Sequence, residues 1–427
     1  MKIIKVGLIG FGTIGEGVAE YLRERSAYLR RKSGVKFELS KIAERDIKKV
    51  PSKYKEILTS NAEDLIRDKS IDVVIELIGG IKDARKYILG AFKNKKHVIT
   101  ANKALLAEDG EHLLAKAKES GVAFKFEASV CGGIPIVDSI SNSLVANDIH
   151  SVLGIINGTS NYILTVMEEQ DASMREALKI AQAKGYTESN PILDLKGIDS
   201  SHKLAVIVRL AFGFNPDFSK IYREGITSIS NLDVKYAKEL GYRIKLLVIA
   251  KRSSKSLLEV RVHPALLPLD HMLSSVKGVY NALYIKGNLI GEMLFYGKGA
   301  GSKPTTSAVI SDLVSLSVIL EGKGFPSYNY IDTEIERLKD INNIDFRYYI
   351  RFMALDNPGV LAKISGVLSN YGISIANVTQ KDRAKASSVP IVMMTHKANE
   401  KNMRKALSKI ERLDVIIKRP VSIRVER

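Results

Sequence analysis

Short apolar runs interleaved with helical periodicity fill the first third of the chain. Residues 3–9 read as a buried strand and lead at once into a helix whose Val18, Tyr21 and Leu22 share one face. Residues 37–43, 71–77, 97–100 and 122–127 repeat the strand signature. Strands alternating with helices predict an α/β, doubly wound parallel sheet over residues 1–128. A second pattern starts near Ile149. A strand at 151–157 opens it, Gly158-Thr159-Ser160-Asn161 begins a helix, and short strands are predicted at 222–230, 242–251, 257–263, 276–286 and 289–296. That mixture predicts an α+β domain over 129–320, its final helix (305–320) returning to the first domain. Residues 321–345 read as a linker with one short polar helix. The remainder, 346–427, reads as a separate unit with strands at 348–355, 373–380, 389–395 and 415–425 and two helices between them, the βαββαβ order of a ferredoxin-like domain.

The middle domain contains a stretch rich in charged groups, 185–203. Upstream of it, Met174, Ala177, Leu178 and Ala181 recur at helical spacing, Ser173 and Glu176 form a capping box, and Gly185 falls where a helix C-terminal glycine belongs. Downstream, Leu204, Val206, Ile207, Leu210 and Ala211 make a mostly apolar helix interrupted by Arg209. If it starts near Ile198, Asp199 and Lys203 share a face, and a carboxylate and an amine stand together at the mouth of a buried helix. Taken locally, an N-cap aspartate in a surface ion pair explains the same residues.

The first strand ends in Gly10-Phe11-Gly12-Thr13-Ile14-Gly15. A GxGxxG between strand and helix is the dinucleotide fingerprint: Gly10 permits the turn, Gly12 admits a pyrophosphate and Gly15 lets helix and strand approach. At the end of the second strand, Glu44 suits the ribose of NAD and Arg45 the 2′-phosphate of NADP, so both cofactors stay open. Thr100 and Lys103 stand at the end of the fourth strand, on the sheet edge where ligands bind. Glu127 leads into Ala128-Ser129-Val130-Cys131-Gly132-Gly133-Ile134, which fits either a domain-crossing turn or an oxygen-lined cation site.

Composition narrows the class. With 427 residues, 45% of them hydrophobic and 26% charged, the chain has enough material for two or three domains. No apolar run reaches membrane-spanning length, and the N-terminus lacks a signal-peptide layout. One cysteine, Cys131, excludes an intrachain disulfide framework and points to a cytoplasmic protein. The net charge of +18 raises the possibility of nucleic acid, but the basic residues are spread along the chain without zinc-ligand spacing or an aromatic RNA-binding signature. Attraction for anionic small molecules accounts for the charge better.

Together these motifs resemble homoserine dehydrogenases over residues 1 to about 320. The likeness rests on the glycine motif, Glu76-Leu77-Ile78-Gly79-Gly80, Thr100-Ala101-Asn102-Lys103, Glu127-Ala128-Ser129-Val130, Asn157-Gly158-Thr159-Ser160-Asn161, the 185–203 stretch and Gly299-Ala300-Gly301. The tail resembles an ACT domain through Asp356-Asn357-Pro358-Gly359-Val360-Leu361. The resemblance implies NAD(P)-dependent interconversion of L-aspartate 4-semialdehyde and L-homoserine. It makes Lys203 the proton donor to the aldehyde oxygen and Lys103 the second active-site lysine; Glu188, Asp199 and Asp194 hold or support the substrate. Gly185, Gly299 and Gly301 pack on the cofactor, and Glu127 with the carbonyls of Val130, Gly132 and Ile134 forms a sodium site. In the tail it implies an amino-acid effector, threonine first among candidates, bound near Asp356, Asn357, Gly359, Val360, Asn377 and Gln380 in a homodimer or larger oligomer.

Overall fold

The computed structural model describes residues 2–187, 190–320, 333–381 and 388–426. They divide into two compact units, the first made of 1–149, 202–219 and 286–334, the second of 150–201, 220–285 and 335–427.

In the first unit, β1 (Ile3–Ile9) is central and wholly buried beyond its first residues because both sheet faces are covered. β2 (Lys36–Ala43), β3 (Leu58–Thr59), β4 (Val73–Glu76), β5 (His97–Thr100) and β6 (Phe124–Lys125) complete a parallel sheet in the order β3-β2-β1-β4-β5-β6. Helix α1 (Thr13–Glu24) follows β1, and α2 (Lys103–Ser120) follows β5, capped by the Asn102 side chain on the Leu105 amide. The helix Ser302–Leu320 joins this core through Val309, Leu313 and Leu316, so a segment remote in sequence seals one face. The fifth predicted strand is shorter than its apolar pattern: residues 127–129 turn into a 3₁₀ helix instead.

In the second unit, β7 (Ile149–Ile155), α3 (Gly158–Gln170), α4 (Asn231–Glu239), β8 (Tyr242–Arg252), β9 (Leu257–Pro268) and β10 (Tyr280–Gly287) precede the tail. The tail adds β11 (Asp345–Leu355), α5 (Val360–Asn370), β12 (Ile375–Gln380), β13 (Ser388–Thr395), α6 (Glu400–Ile410) and β14 (Ile416–Val425). The strands run β10-β7-β8-β9-β14-β11-β13-β12, the last four in the order of a ferredoxin-like βαββαβ unit. β14 pairs in parallel with β9, Ala265 opposite Arg424 and Leu266 opposite Val425, so one sheet passes from the middle of the chain into the tail.

Two buried arginines reinforce that continuity. Arg351 on β11 forks onto Asp233 of α4 at 2.7 and 2.9 Å. Arg424 on β14 grips Glu400 (2.9 Å from Nε) and reaches Glu224 at 2.8 Å and the Tyr222 hydroxyl at 3.0 Å. Of the strand predicted at 222–230 only Tyr222–Arg223 is extended, and α4, which follows it, is not among the predicted elements. Its buried face includes Asp233, the partner of Arg351, and a buried carboxylate hides a helical stripe from hydropathy alone. The strand expected at 276–286 begins later, at Tyr280, after a 3₁₀ turn. In the predicted linker, Arg337–Leu338 pair with β9 and Ile341–Asn343 form a 3₁₀ turn; residues 321–332 lie outside the described ones.

Candidate functional site

The glycine motif has the geometry that a dinucleotide needs. At Gly15 a Cβ would stand 2.1 Å from the Gly10 carbonyl oxygen, so α1 rests directly on the turn. At Gly12 a Cβ would meet nothing within 4 Å, which leaves an open backbone surface at the N-terminus of α1. Phe11 donates its amide to Glu44 at 2.7 Å, and the other Glu44 oxygen takes the Asp46 amide at 3.1 Å. Thr13 and Ile14 start α1, and Ser302 donates its hydroxyl to the Thr13 carbonyl at 3.0 Å. Gly10, Gly12, Glu44, Arg45, Gly79 and Asp83 line a cavity of about 320 Å³. Arg45 pairs there with Asp83 at 2.5 Å while remaining largely exposed. The residues present therefore fit a dinucleotide, with Glu44 already engaged and Arg45 at the rim.

The ends of β4 and β5 are joined through a buried acid to which residue type and spacing assign no role. Glu76, 1% exposed, accepts from the Thr100 hydroxyl at 2.6 Å and from the Ile78 amide at 2.9 Å. Thr100 in turn accepts from the Asn102 amide at 3.0 Å, and Asn102 donates its side-chain amide to the Gly80 carbonyl at 2.5 Å. Burial pushes the Glu76 carboxyl up, opposed by its hydrogen bonds from Thr100, Ile78 and Gly79. Lys103 follows directly, half-buried, as the first residue of α2. A charged residue closing an apolar strand was the available signal.

The turn after Glu127 is interlocked with the turn before the helix Ser302–Leu320. Cys131 and Gly132 have φ values of 54° and 44°, and a Cβ on Gly132 would lie 2.7 Å from the Gly299 carbonyl oxygen. Gly133 donates to the Lys298 carbonyl at 3.1 Å, and Gly301, at φ 111°, ends the partner turn. Val130, Gly132 and Ile134 are thus gathered in one buried loop beside Gly299. Glu127, 3% exposed, accepts the amides of Val137 (2.9 Å) and Asp138 (2.7 Å). Its own amide donates to Asp312 at 2.8 Å. Burial raises the carboxyl of Glu127, and burial with the charge of Glu127 raises that of Asp312 well above the ordinary range. Two buried acids side by side are an environment that a cation completes. Among the described residues, no group of three or more His, Cys, Asp or Glu side chains is placed to hold a metal, so such a cation would rely on carbonyls.

In the second unit, Asn157 is the organising residue, and its type and position in the sequence do not name its partners. Its side-chain NH₂ donates to Asp194 at 2.7 Å and to Asp199 at 2.9 Å, while its oxygen caps α3 on the Ser160 amide at 2.8 Å. Ser160 donates its hydroxyl to the Asp194 carbonyl at 3.0 Å. Two of the three predicted substrate carboxylates are therefore brought together on one amide. Glu188 lies outside the described residues. Gly185 takes φ 69° after the helix Met174–Ala183, whose capping box forms as the sequence predicts, and Tyr186 accepts from Thr159 at 2.8 Å. The helix Ile198–Phe212 begins where expected; Asp199 and Lys203, one turn apart on it, are 7% and 8% exposed. That burial sets aside the reading as a wet surface pair.

In the tail, Asp356 and Asn357 occupy the loop before α5, Gly359 caps that helix at φ 86°, and Val360 turns into the core. Asn377 and Gln380 are exposed on β12, opposite Met394 and Ile391 of β13. No described helix is long and apolar enough to cross a membrane.

Comparison with known proteins agrees with this layout. The homoserine dehydrogenase family profile matches residues 135–314, the homoserine dehydrogenase NAD-binding domain matches 10–127, and the ACT domain matches 348–415. The chain is 40% identical to the homoserine dehydrogenase of Pseudomonas aeruginosa, with 100% of both chains covered. It is 38% identical to that of Bacillus subtilis, over 100% of this chain and 99% of that one. Among solved structures, a homoserine dehydrogenase from Thiobacillus denitrificans superimposes with a TM-score of 0.91 at 40% identity, covering 100% of this chain and 99% of the other. That of S. aureus gives 0.79 at 30% identity, again over 100% and 99%.

Proposed function

Starting from the fact that the chain belongs to the homoserine dehydrogenase family, we propose how its own residues divide the work of that reaction. The activity is the reversible, NAD- or NADP-dependent interconversion of L-homoserine and L-aspartate 4-semialdehyde, a step toward threonine, methionine and isoleucine. The bound dinucleotide supplies or accepts the hydride. Asp194 and Asp199 receive the substrate, their paired charge being suited to its ammonium group, and Glu188 joins them. Lys203 protonates the aldehyde oxygen during reduction and takes that proton back during oxidation. Lys103 is the second ammonium, orienting the same oxygen or sharing the transfer. The observation that supports this reading best is the single amide of Asn157 holding both aspartates (2.7 and 2.9 Å), since a carboxylate pair fixed this way is prepared for a cation. Gly185, Gly299 and Gly301 border the cofactor. Glu127, with the carbonyls of Val130, Gly132 and Ile134, would hold a sodium ion, whose charge would offset that of the buried acids.

The deciding experiment is homoserine-dependent reduction of NAD and of NADP by purified protein in sodium-containing buffer, with and without threonine. Turnover with either cofactor supports the reading; none in a folded sample removes it. We also propose that threonine binds near Asp356, Asn357, Gly359, Val360, Asn377 and Gln380 in a homodimer or larger oligomer, lowering the rate. The single buried cysteine suits a cytoplasmic enzyme, and basic residues spread along the chain suit small anionic partners better than nucleic acid.

Cofactor choice gives a signed prediction. Glu44→Gln removes a carboxylate that repels a 2′-phosphate, and should raise the NADP-to-NAD ratio of kcat/KM by about tenfold. Arg45→Ala should lower it by a similar factor. A tenfold change is ~1.4 kcal/mol, close to one charge-assisted hydrogen bond. Equal ratios in both variants and the parent would remove Glu44 and Arg45 from the ribose site.

A further inference from the structure

Beyond Lys203, the apolar helix Ile198–Phe212 carries a single charge, Arg209, and it is buried, 3% exposed. Arg209 donates from Nη1 to the Leu106 carbonyl at 2.9 Å, in the first turn of α2 and one turn past Lys103. Its Nε donates to Asn215 Oδ1 at 3.1 Å, and Asn215 donates its amide to Glu111 of α2 at 2.5 Å. Helix α2 is shaped for this side chain: a Cβ on Gly110 would stand 2.4 Å from Arg209 Nη1. Gly110 lies mid-helix, where glycine costs about 1 kcal/mol relative to alanine, so its small size has a compensating use here.

An apolar side chain would join two helices at lower desolvation cost than a guanidinium. What the guanidinium adds is geometry, because its planar fork fixes both distance and angle between the groups it binds. The two helices it ties are the one carrying Lys203 and the one beginning at Lys103. We propose that Arg209 is a positioning residue for the reaction, setting the placement of the Lys203 helix against the Lys103 helix, with Gly110 as the space that admits it. The proposal rests on the reading of Lys103 and Lys203 as active-site groups.

The test uses the full chain with Gly110→Ala, Arg209→Lys, Arg209→Met, Lys103→Ala and Lys203→Ala, its working sites counted by fluorescence titration with reduced cofactor. Gly110→Ala and Arg209→Lys should each lower kcat per site by at least tenfold, in line with the sensitivity of proton and hydride transfer to displacements of about 1 Å. Cofactor Kd should stay within twofold. The primary isotope effect with cofactor deuterated at the transferred position should rise, because the chemical step becomes slower than release. Arg209→Met should show the same pattern more strongly. A lower Tm with kcat per site and the isotope effect unchanged in both Gly110→Ala and Arg209→Lys would overturn the proposal and leave Arg209 a structural residue. If Lys103→Ala and Lys203→Ala also keep their turnover, the reading of the lysines fails first; if they lose it, only the role of Arg209 fails.

Discussion

Replacing Lys203 with alanine should slow homoserine oxidation and semialdehyde reduction by roughly 10²–10⁴-fold, the usual contribution of one positioned acid–base group. Hydride arriving at a carbonyl carbon leaves negative charge on oxygen, and an alkoxide in a dry site is costly unless a proton reaches it. Lys203 is 8% exposed, and the residues after it, Leu204 to Val208, are all buried, so bulk water is a poor substitute for its ammonium. Lys203→Arg should be nearly as slow: a guanidinium keeps the positive charge but does not give up its proton. Cofactor Kd should change less than twofold in both variants, because the glycine turn and Glu44 form a separate set of contacts. Steady-state kinetics with cofactor titration settles it. Unchanged kcat in both variants would transfer the proton-donor role to another group.

The second large effect is on stability in acid. His263 is fully buried between Arg261, whose Nε donates to its Nε2 at 3.2 Å, and the Pro264 carbonyl at 2.9 Å. Nε2 therefore acts as the acceptor and Nδ1 carries the proton. Burial, reinforced by the charges of Arg424 and Arg261, pushes His263 down from 6.5 to about 3. A folded pKa below the unfolded value means that the unfolded chain takes the proton first. The stability tied to His263 is thus complete above pH 6.5 and is lost as pH falls from there toward about 3. Between about pH 6.5 and 5 the loss is on the order of 2 kcal/mol. Lower down, two carboxylates follow with the same sign. Burial alone would raise Glu426 and Glu400, but Arg261 and Lys251 hold the first, and Arg424 the second, at about 2. Their contribution is present above 4.5 and disappears as pH falls through about 2. His263→Gln offers an acceptor and a donor without titrating. In urea unfolding series it should lose about 2 kcal/mol less than the parent between about pH 6.5 and 5, the part that remains including the half-buried His97, which burial also lowers, and it should follow the parent below. Parallel curves for the two proteins would show that His263 is not the source.

Much of the architecture was legible because its signals are local. The strand–glycine–helix start, the capping box at Ser173 and the helix carrying Asp199 and Lys203 depend on neighbours a few residues apart. The residues that organise the site instead act across distance. Glu76 meets Thr100 from another strand, Asn157 reaches Asp194 and Asp199 from another helix, and Arg209 meets Leu106. Type and spacing mark such residues as polar in apolar surroundings without naming their partners. Helix α4 escaped for a related reason: Asp233 looks like a surface residue until Arg351, far along the chain, closes on it.

The pairing of Ala265 and Leu266 with Arg424 and Val425 also bears on how the fold is reached during synthesis. β9 leaves the ribosome long before β14 exists, and until then its edge carries unpaired amides and Arg261 lacks the carboxylate of Glu426. Closing so long a loop is slow, and an open strand edge meanwhile invites the equivalent strand of another chain. Folding of the unit that holds Asn157, Asp194 and Asp199 therefore finishes only when the tail is in place. A chain shortened before β14 would lose more than its terminal domain; it would leave the unit that holds Asn157, Asp194 and Asp199 waiting for its last strand.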